Sequence, residues 1–170
     1  MIVVSDASPL ITLSRLNRLD ILPALYGSVF IPPDVYNELT QRAAKIGVAD
    51  AFAKTSQWLH IQAPLVITSY PGLHPGETAA IALAKELNVD LLIIDEKSGR
   101  KFAAREQVKF IGTIGVFEDA ADAGLLDLAS TFSQLKPLSF HVTQELLAAR
   151  LKAFDQRQAL KRAADDDETP

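Results

Sequence analysis

The sequence predicts an α/β fold with a central, mostly parallel sheet and additional helices at the C-terminus, and three observations carry that expectation. Two uncharged runs, Ile2-Val3-Val4-Ser5 and Leu91-Leu92-Ile93-Ile94, have the continuous apolar character of strands buried on both faces. Strand-like and helix-like stretches alternate as far as Gly124, the arrangement of βαβ units. Beyond Gly124 the pattern is helical alone.

The elements follow in order. Ile2 to Ser5 is a strand, and Pro9 to Leu16 and Leu19 to Tyr26 are helices. Ser28 to Ile31 is a short strand, after which Pro32-Pro33 opens a helix, because proline is pre-organised for the first helical position. A helix over Val48 to Thr55 and a strand over Trp58 to Ile61 come next, then a loop punctuated by Pro64, Pro71, Gly72 and Pro75. That loop delivers a helix beginning at Glu77. The strand Leu91 to Ile94 is followed by a helix over Ser98 to Glu106, a strand over Lys109 to Ile111 and a helix from Thr113 to Ala123. Leu128 to Leu135 and Thr143 to about Ala164 read as helices, the last with apolar residues at helical spacing. The expected organisation is one domain over 1–135, a helical extension over 136–164 packed on that domain or on a partner, and a disordered acidic tail over 165–170.

Composition narrows the class of protein. The chain has 170 residues, 48% of them hydrophobic and 22% charged, which suits one globular domain with a sizeable core. It contains no cysteine, which excludes disulfides, thiolate zinc sites and a cysteine nucleophile. No secretory leader and no long apolar span are visible, so the expected location is the cytoplasm, with no membrane partner. The net charge of -4 argues against broad electrostatic adhesion to nucleic acid while leaving room for a local basic patch.

Four carboxylates interrupt or end apolar patterns: Asp6, Glu38, Glu77 and Asp95. Asp6 and Asp95 close the two buried strands, and strand C-termini face the usual ligand crevice of a parallel sheet. Glu77 lies over Ala80, Ile81 and Ala84 at helical spacing, so it points toward the core at a cost in charge burial. Glu38 borders the Val35/Leu39 face and leans the same way. Clustered carboxylates suit Mg²⁺ or Mn²⁺, hard cations that prefer oxygen ligands and retain water. Converging without metal, the four should raise one another's proton affinity. Asp20, Asp34, Asp122 and Asp127 read as caps and surface charges, with Asp119 kept as a reserve ligand.

These residues resemble the PIN domain, a small α/β nuclease family that includes the VapC-like toxins of prokaryotic toxin–antitoxin pairs. The resemblance runs from Met1 to about Leu126. It is carried by Val4-Ser5-Asp6-Ala7-Ser8-Pro9-Leu10, Ile31-Pro32-Pro33 through Glu38, Gly76-Glu77-Thr78-Ala79-Ala80-Ile81, Leu92-Ile93-Ile94-Asp95-Glu96 and Ile111-Gly112-Thr113. It implies a three-layer α/β/α fold and an endoribonuclease that hydrolyses RNA phosphodiester bonds with Mg²⁺ or Mn²⁺. Asp6 and Asp95 would be direct ligands, with Glu38 and Glu77 binding directly or through water and either orienting the attacking water. A homodimer and a cognate antitoxin are the further partners it implies. The chain departs from the common pattern in carrying Glu77 where many relatives have Asp, and Lys97 where an acid sometimes stands, which puts a second metal in doubt.

Around this core, Ser8 and Thr113 read either as helix caps or as hydroxyls that orient the carboxylates or meet a phosphate. Lys97 and Arg100 read either as phosphate contacts for RNA or as a solvated helix face with a Glu96/Arg100 pair. Other chemistries lack their signatures. His60, His74 and His141 show no metal-ligand spacing, no serine elbow is present, and Gly72 to Gly76 does not make a phosphate loop. The alternative to an enzyme is a non-catalytic PIN-like module that binds RNA or protein. A receiver-like phosphoryl-transfer pocket is weaker, since no lysine ends a later strand.

Overall fold

In the computed structural model, residues 1–138 and 142–167 are described, with side chains as far as residue 164. His141 therefore lies outside the described residues, as do the last three positions of the acidic tail. The chain divides into two compact units, Met1–Leu125 and Leu126–Pro170.

The first unit is built on a five-stranded sheet in the order β3-β2-β1-β4-β5, with β1 (Ile2–Ser5), β2 (Ser28–Ile31), β3 (Leu59–Ile61), β4 (Leu91–Ile93) and β5 (Phe110–Ile111). Every pairing is parallel, and helices cover both faces. Val3, Val4, Leu92 and Ile93 are completely buried, which is why their runs contain no charge. Their register, Val4 beside Leu92 and Ser5 beside Ile93, brings the ends of β1 and β4 level. The chain reverses its direction of strand addition between these two strands, so their C-terminal ends flank the topological switch point, where open parallel sheets bind ligands.

Six helices surround this sheet: α1 (Ala7–Arg15), α2 (Ile21–Tyr26), α3 (Pro33–Ile46), α4 (Pro75–Glu86), α5 (Lys97–Arg105) and α6 (Thr113–Asp122). Helix α4 is buried on all sides from Gly76 to Ala84, as befits a helix that is apolar all round. Its alanines let it lie against β1, β4, α3 and α5 together, so its N-terminus arrives at the switch point. Helix α3 starts at Pro33 as expected and ends at Gly47, whose φ of 74° supplies the left-handed turn that releases the chain. Val48 to Thr55, expected as a single helix, instead forms two short 3₁₀ helices, Ala49–Phe52 and Thr55–Gln57. The Thr55 hydroxyl donates to the Phe52 carbonyl at 2.8 Å, a local bond of the kind that competes with α-helical continuation.

The second unit contains α7 (Leu128–Leu135), the 3₁₀ turn Lys136–Leu138 and α8 (Gln144–Asp167). Asp127 caps α7 by accepting from the Ser130 N–H at 2.7 Å, while Phe132, Leu135 and Leu147 are buried. Helix α8 runs into the acidic tail as far as Asp167. No helix among the described residues is long and apolar enough to cross a membrane.

Candidate functional site

Asp6 follows β1 directly and occupies the N-cap position of α1. It is 2% exposed, and its Oδ1 has no hydrogen-bond partner. Burial pushes its carboxyl up to about 7; the Ala7 amide partly offsets this, and the charges of Glu38 and Glu77 raise it further. Glu77 enters from the first turn of α4, buried as its spacing requires. Its Oε2 accepts from the His74 N–H at 2.9 Å, whereas Oε1 is buried without a partner. Desolvation raises its proton affinity too, opposed by the His74 amide and reinforced by the charges of Glu96 and Glu38.

Glu38 reaches the same place from α3 and is half-buried. A Cβ added at Gly76 would meet Glu38 Oε2 at 3.0 Å and Asp6 Oδ1 at 3.8 Å, so the two carboxylates share the space that the glycine leaves open. The other Glu38 oxygen, Oε1, accepts from Arg42 Nη1 at 2.8 Å, and the same nitrogen donates to Ser8 Oγ at 3.0 Å.

Asp95, just beyond β4, is held differently. Its Oδ1 accepts from the Thr113 N–H at 2.8 Å and its Oδ2 from the Thr113 hydroxyl at 2.6 Å, so it closes the N-terminus of α6 from a distance. Arg100 donates from Nε to the Ile94 carbonyl at 2.9 Å and from Nη2 to Asp95 Oδ1 at 3.4 Å. A Cβ at Gly112 would fall 2.5 Å from Arg100 Nη2 and 2.9 Å from Asp95 Oδ1, so a side chain there would have to displace this pair.

Several local expectations change accordingly. The N-caps of α1 and α6 are Asp6 and Gly112, not Ser8 and Thr113. Arg100 bonds Asp95 and the strand end instead of the Glu96 side chain. Thr113 is fully buried and spends its hydroxyl on Asp95, while Lys97 is exposed at the start of α5. Asp119, the reserve ligand, accepts from the Tyr26 hydroxyl at 3.0 Å, and burial, reinforced by that contact, raises the tyrosine's proton affinity. Arg42 escaped the sequence reading, although its spacing four residues beyond Glu38 was a usable signal.

The structure thus brings Asp6, Glu38 and Glu77 into electrostatic contact and ties Asp95 to Thr113 and Arg100. Among the described residues no three His, Asp or Glu side chains stand close enough to hold an ion unaided. The donor set nevertheless fits a hydrated divalent cation. Two buried carboxylate oxygens have no other partner, and Mg²⁺ is commonly held by one or two carboxylates, with water and substrate phosphate completing its shell. A groove of about 350 Å³ between α3 and edge strand β3, lined by Tyr36, Leu39, Phe52 and Ile61, contains none of these carboxylates. Its apolar lining has nothing to contribute to acid or metal chemistry.

The chain is similar over 85% of its length to the solved structure of a PilT N-terminus domain protein from the hyperthermophilic archaeon Sulfolobus solfataricus P2, covering 99% of that chain with a TM-score of 0.52 and 20% identity. That likeness is one of fold. No curated protein matches. The model of the DUF3368 family, described as a PIN domain, matches residues 2–156. PIN domains are generally nucleases and typically use divalent metal ions. With a match over residues 2–156 of the 170, the chain belongs to the PIN-domain family.

Proposed function

We propose that the protein is a divalent-metal-dependent endoribonuclease whose site lies at the C-terminal ends of β1 and β4. The observation that carries this reading is the pair of buried, unpartnered carboxylate oxygens, Asp6 Oδ1 and Glu77 Oε1. Buried polar atoms are almost always bonded, and two orphans of like charge favour a missing cation over a structural role. Asp6 and Glu77 would hold Mg²⁺ or Mn²⁺, with Glu38 from the rim and Asp95 through water. When bound, the ion supplies an activated water and charge stabilisation at the phosphate.

The chain's own residues do the rest. Glu38 or Glu77 would orient the attacking water. Thr113 and Arg100 fix the orientation of Asp95. Lys97 at the exposed start of α5 and the remaining N–H groups of Arg100 meet the flanking phosphates, because a guanidinium has more donors than these bonds occupy. A toxin role, with a homodimer and a small antitoxin as partners, belongs to the same reading.

The test is cleavage of structured and single-stranded RNAs with Mg²⁺, Mn²⁺ or EDTA, by the wild type and by Asp95→Asn and Asp6→Asn variants checked for folding. Cutting that needs metal and disappears in the variants is the expected result. RNA binding without cutting, at any metal concentration, would replace this reading with the non-catalytic module. Growth arrest on expression of the wild type but not of Asp6→Asn would support the toxin role.

A further inference from the structure

We propose that Arg42 is a positioning residue that holds the Glu38 carboxylate beside Asp6 by a tether to Ser8. The inference rests on the metal-site reading above and concerns how that site is kept in order.

A Glu/Arg pair at i, i+4 on a half-exposed helix face is ordinarily a minor surface contact. Here the side chains of Arg42 and Glu38 are 41% and 36% exposed, so charge pairing alone would leave Glu38 free to change rotamer. The third partner changes this. Arg42 Nη1 donates at 2.8 Å to Glu38 Oε1 and at 3.0 Å to Ser8 Oγ. Ser8 lies in the first turn of α1, two positions beyond Asp6. One guanidinium nitrogen, with two hydrogens, therefore ties the helix carrying Glu38 to the turn carrying Asp6. The tether occupies Oε1 and leaves Oε2 at the Gly76 gap, 3.0 Å from the point that Asp6 Oδ1 approaches to 3.8 Å.

This is the arrangement in which a carboxylate gives one oxygen to an ion while the other is fixed by a hydrogen bond, and loss of such an outer partner typically weakens metal binding about 10- to 100-fold. Without the tether, Glu38 returns to solvent and its rotamer freedom must be lost again on each binding event. A purely electrostatic role makes the opposite forecast, because a positive charge beside the site repels the incoming cation and its removal would tighten binding.

The experiment is a Mn²⁺ titration of the full-length protein without RNA, read from the paramagnetic resonance of free Mn²⁺. It uses wild type, Arg42→Met, Ser8→Ala and the double variant, together with ¹³C relaxation at Glu38 Cγ in metal-free protein. The expected result is Mn²⁺ binding weakened about 10-fold in Arg42→Met, weakened less in Ser8→Ala, and no weaker in the double variant than in Arg42→Met alone, with Glu38 more mobile in all three. Unchanged or tighter Mn²⁺ binding in a folded Arg42→Met variant would overturn the proposal. If the wild type takes up no Mn²⁺, the metal reading fails, and the relaxation data decide by themselves. Increased mobility of Glu38 in both single variants would sustain the tether, and unchanged mobility in either would remove it.

Discussion

Asp6 concentrates the electrostatic cost of the site. Its carboxyl rises from 3.8 to about 7 on folding, so between those values the folded protein binds a proton that the unfolded chain has released. Its contribution to stability is therefore fully present in acid and declines as pH rises through that window, by on the order of 4 kcal/mol. Glu77, shifted in the same direction, adds to the trend. Chemical denaturation of metal-free protein at pH 5 and pH 8 should show wild type losing stability with rising pH, and Asp6→Asn losing much less and being the more stable protein at pH 8. Mn²⁺ should raise the melting temperature of the wild type and leave that of Asp6→Asn nearly unchanged. A different residue tests the other half of the site. Gly112→Ala places a methyl 2.5 Å from Arg100 Nη2, which forces the guanidinium off Asp95. Activity is expected to fall at least 10-fold, by analogy with other lost outer-shell contacts, with the melting temperature changed by only a few degrees, as paired activity and thermal scans would reveal.

Among the elements, the β3–α4 connection is the long one, and it is pinned where it crosses other structure. The Leu65 N–H donates to Glu86 Oε2 at 2.7 Å, and the Tyr70 ring packs on Phe102 with centroids 5.0 Å apart. Between these points Leu65, Val66 and Ile67 are exposed by 88%, 73% and 52%. Tyr70→Ala should release the segment, at a cost of roughly 1 kcal/mol from the ring contact, and speed limited proteolysis near these residues several-fold. An unchanged cleavage pattern would mean that the ring does not restrain the loop. The strands and most helices were legible because burial writes itself into composition: Val3 to Ser5, Leu91 to Ile93 and Gly76 to Ala84 are runs without a solvent-facing gap. Val48 to Thr55 was less so, because a 3₁₀ turn and an α-turn share the same polar, alanine-rich composition and differ only in local bonds such as Thr55 to Phe52. The four carboxylates were legible as charges in apolar settings. Thr113 was legible as a hydroxyl able to orient a carboxylate; that Asp95 is the one it holds, and that Arg42 bonds Ser8, was not, since these bonds join segments whose proximity is set only when the sheet forms.

At the scale of the whole molecule, a net charge of -4 makes the protein repel RNA on average. Binding must then depend on a few local cations. With Lys97 and Arg100 as the phosphate contacts, the logarithm of RNA affinity should fall with the logarithm of salt at a slope of roughly -1.4, about 0.7 for each contact on a single strand. Lys97→Ala should bring the slope to about -0.7, measured by fluorescence anisotropy with an uncleaved substrate. A slope unchanged in the variant would relocate the RNA path.

The pairing of β1 with β4 also sets when the site comes into being. Ile2 N–H meets Asp90 Oδ2 at 2.6 Å across a separation of 88 residues, whereas β1 can pair with β2 once the first thirty or so residues are available. Contacts so distant along the chain carry a larger loop-closure cost and tend to form late. A ribosome-bound chain that has not yet released β4 lacks Asp95 and the strand that, with β1, seats the helix carrying Glu77. Under the proposed function, a nuclease made in this order stays inert beside the messenger and the ribosome that produce it, and gains its cutting centre only when the sheet is complete.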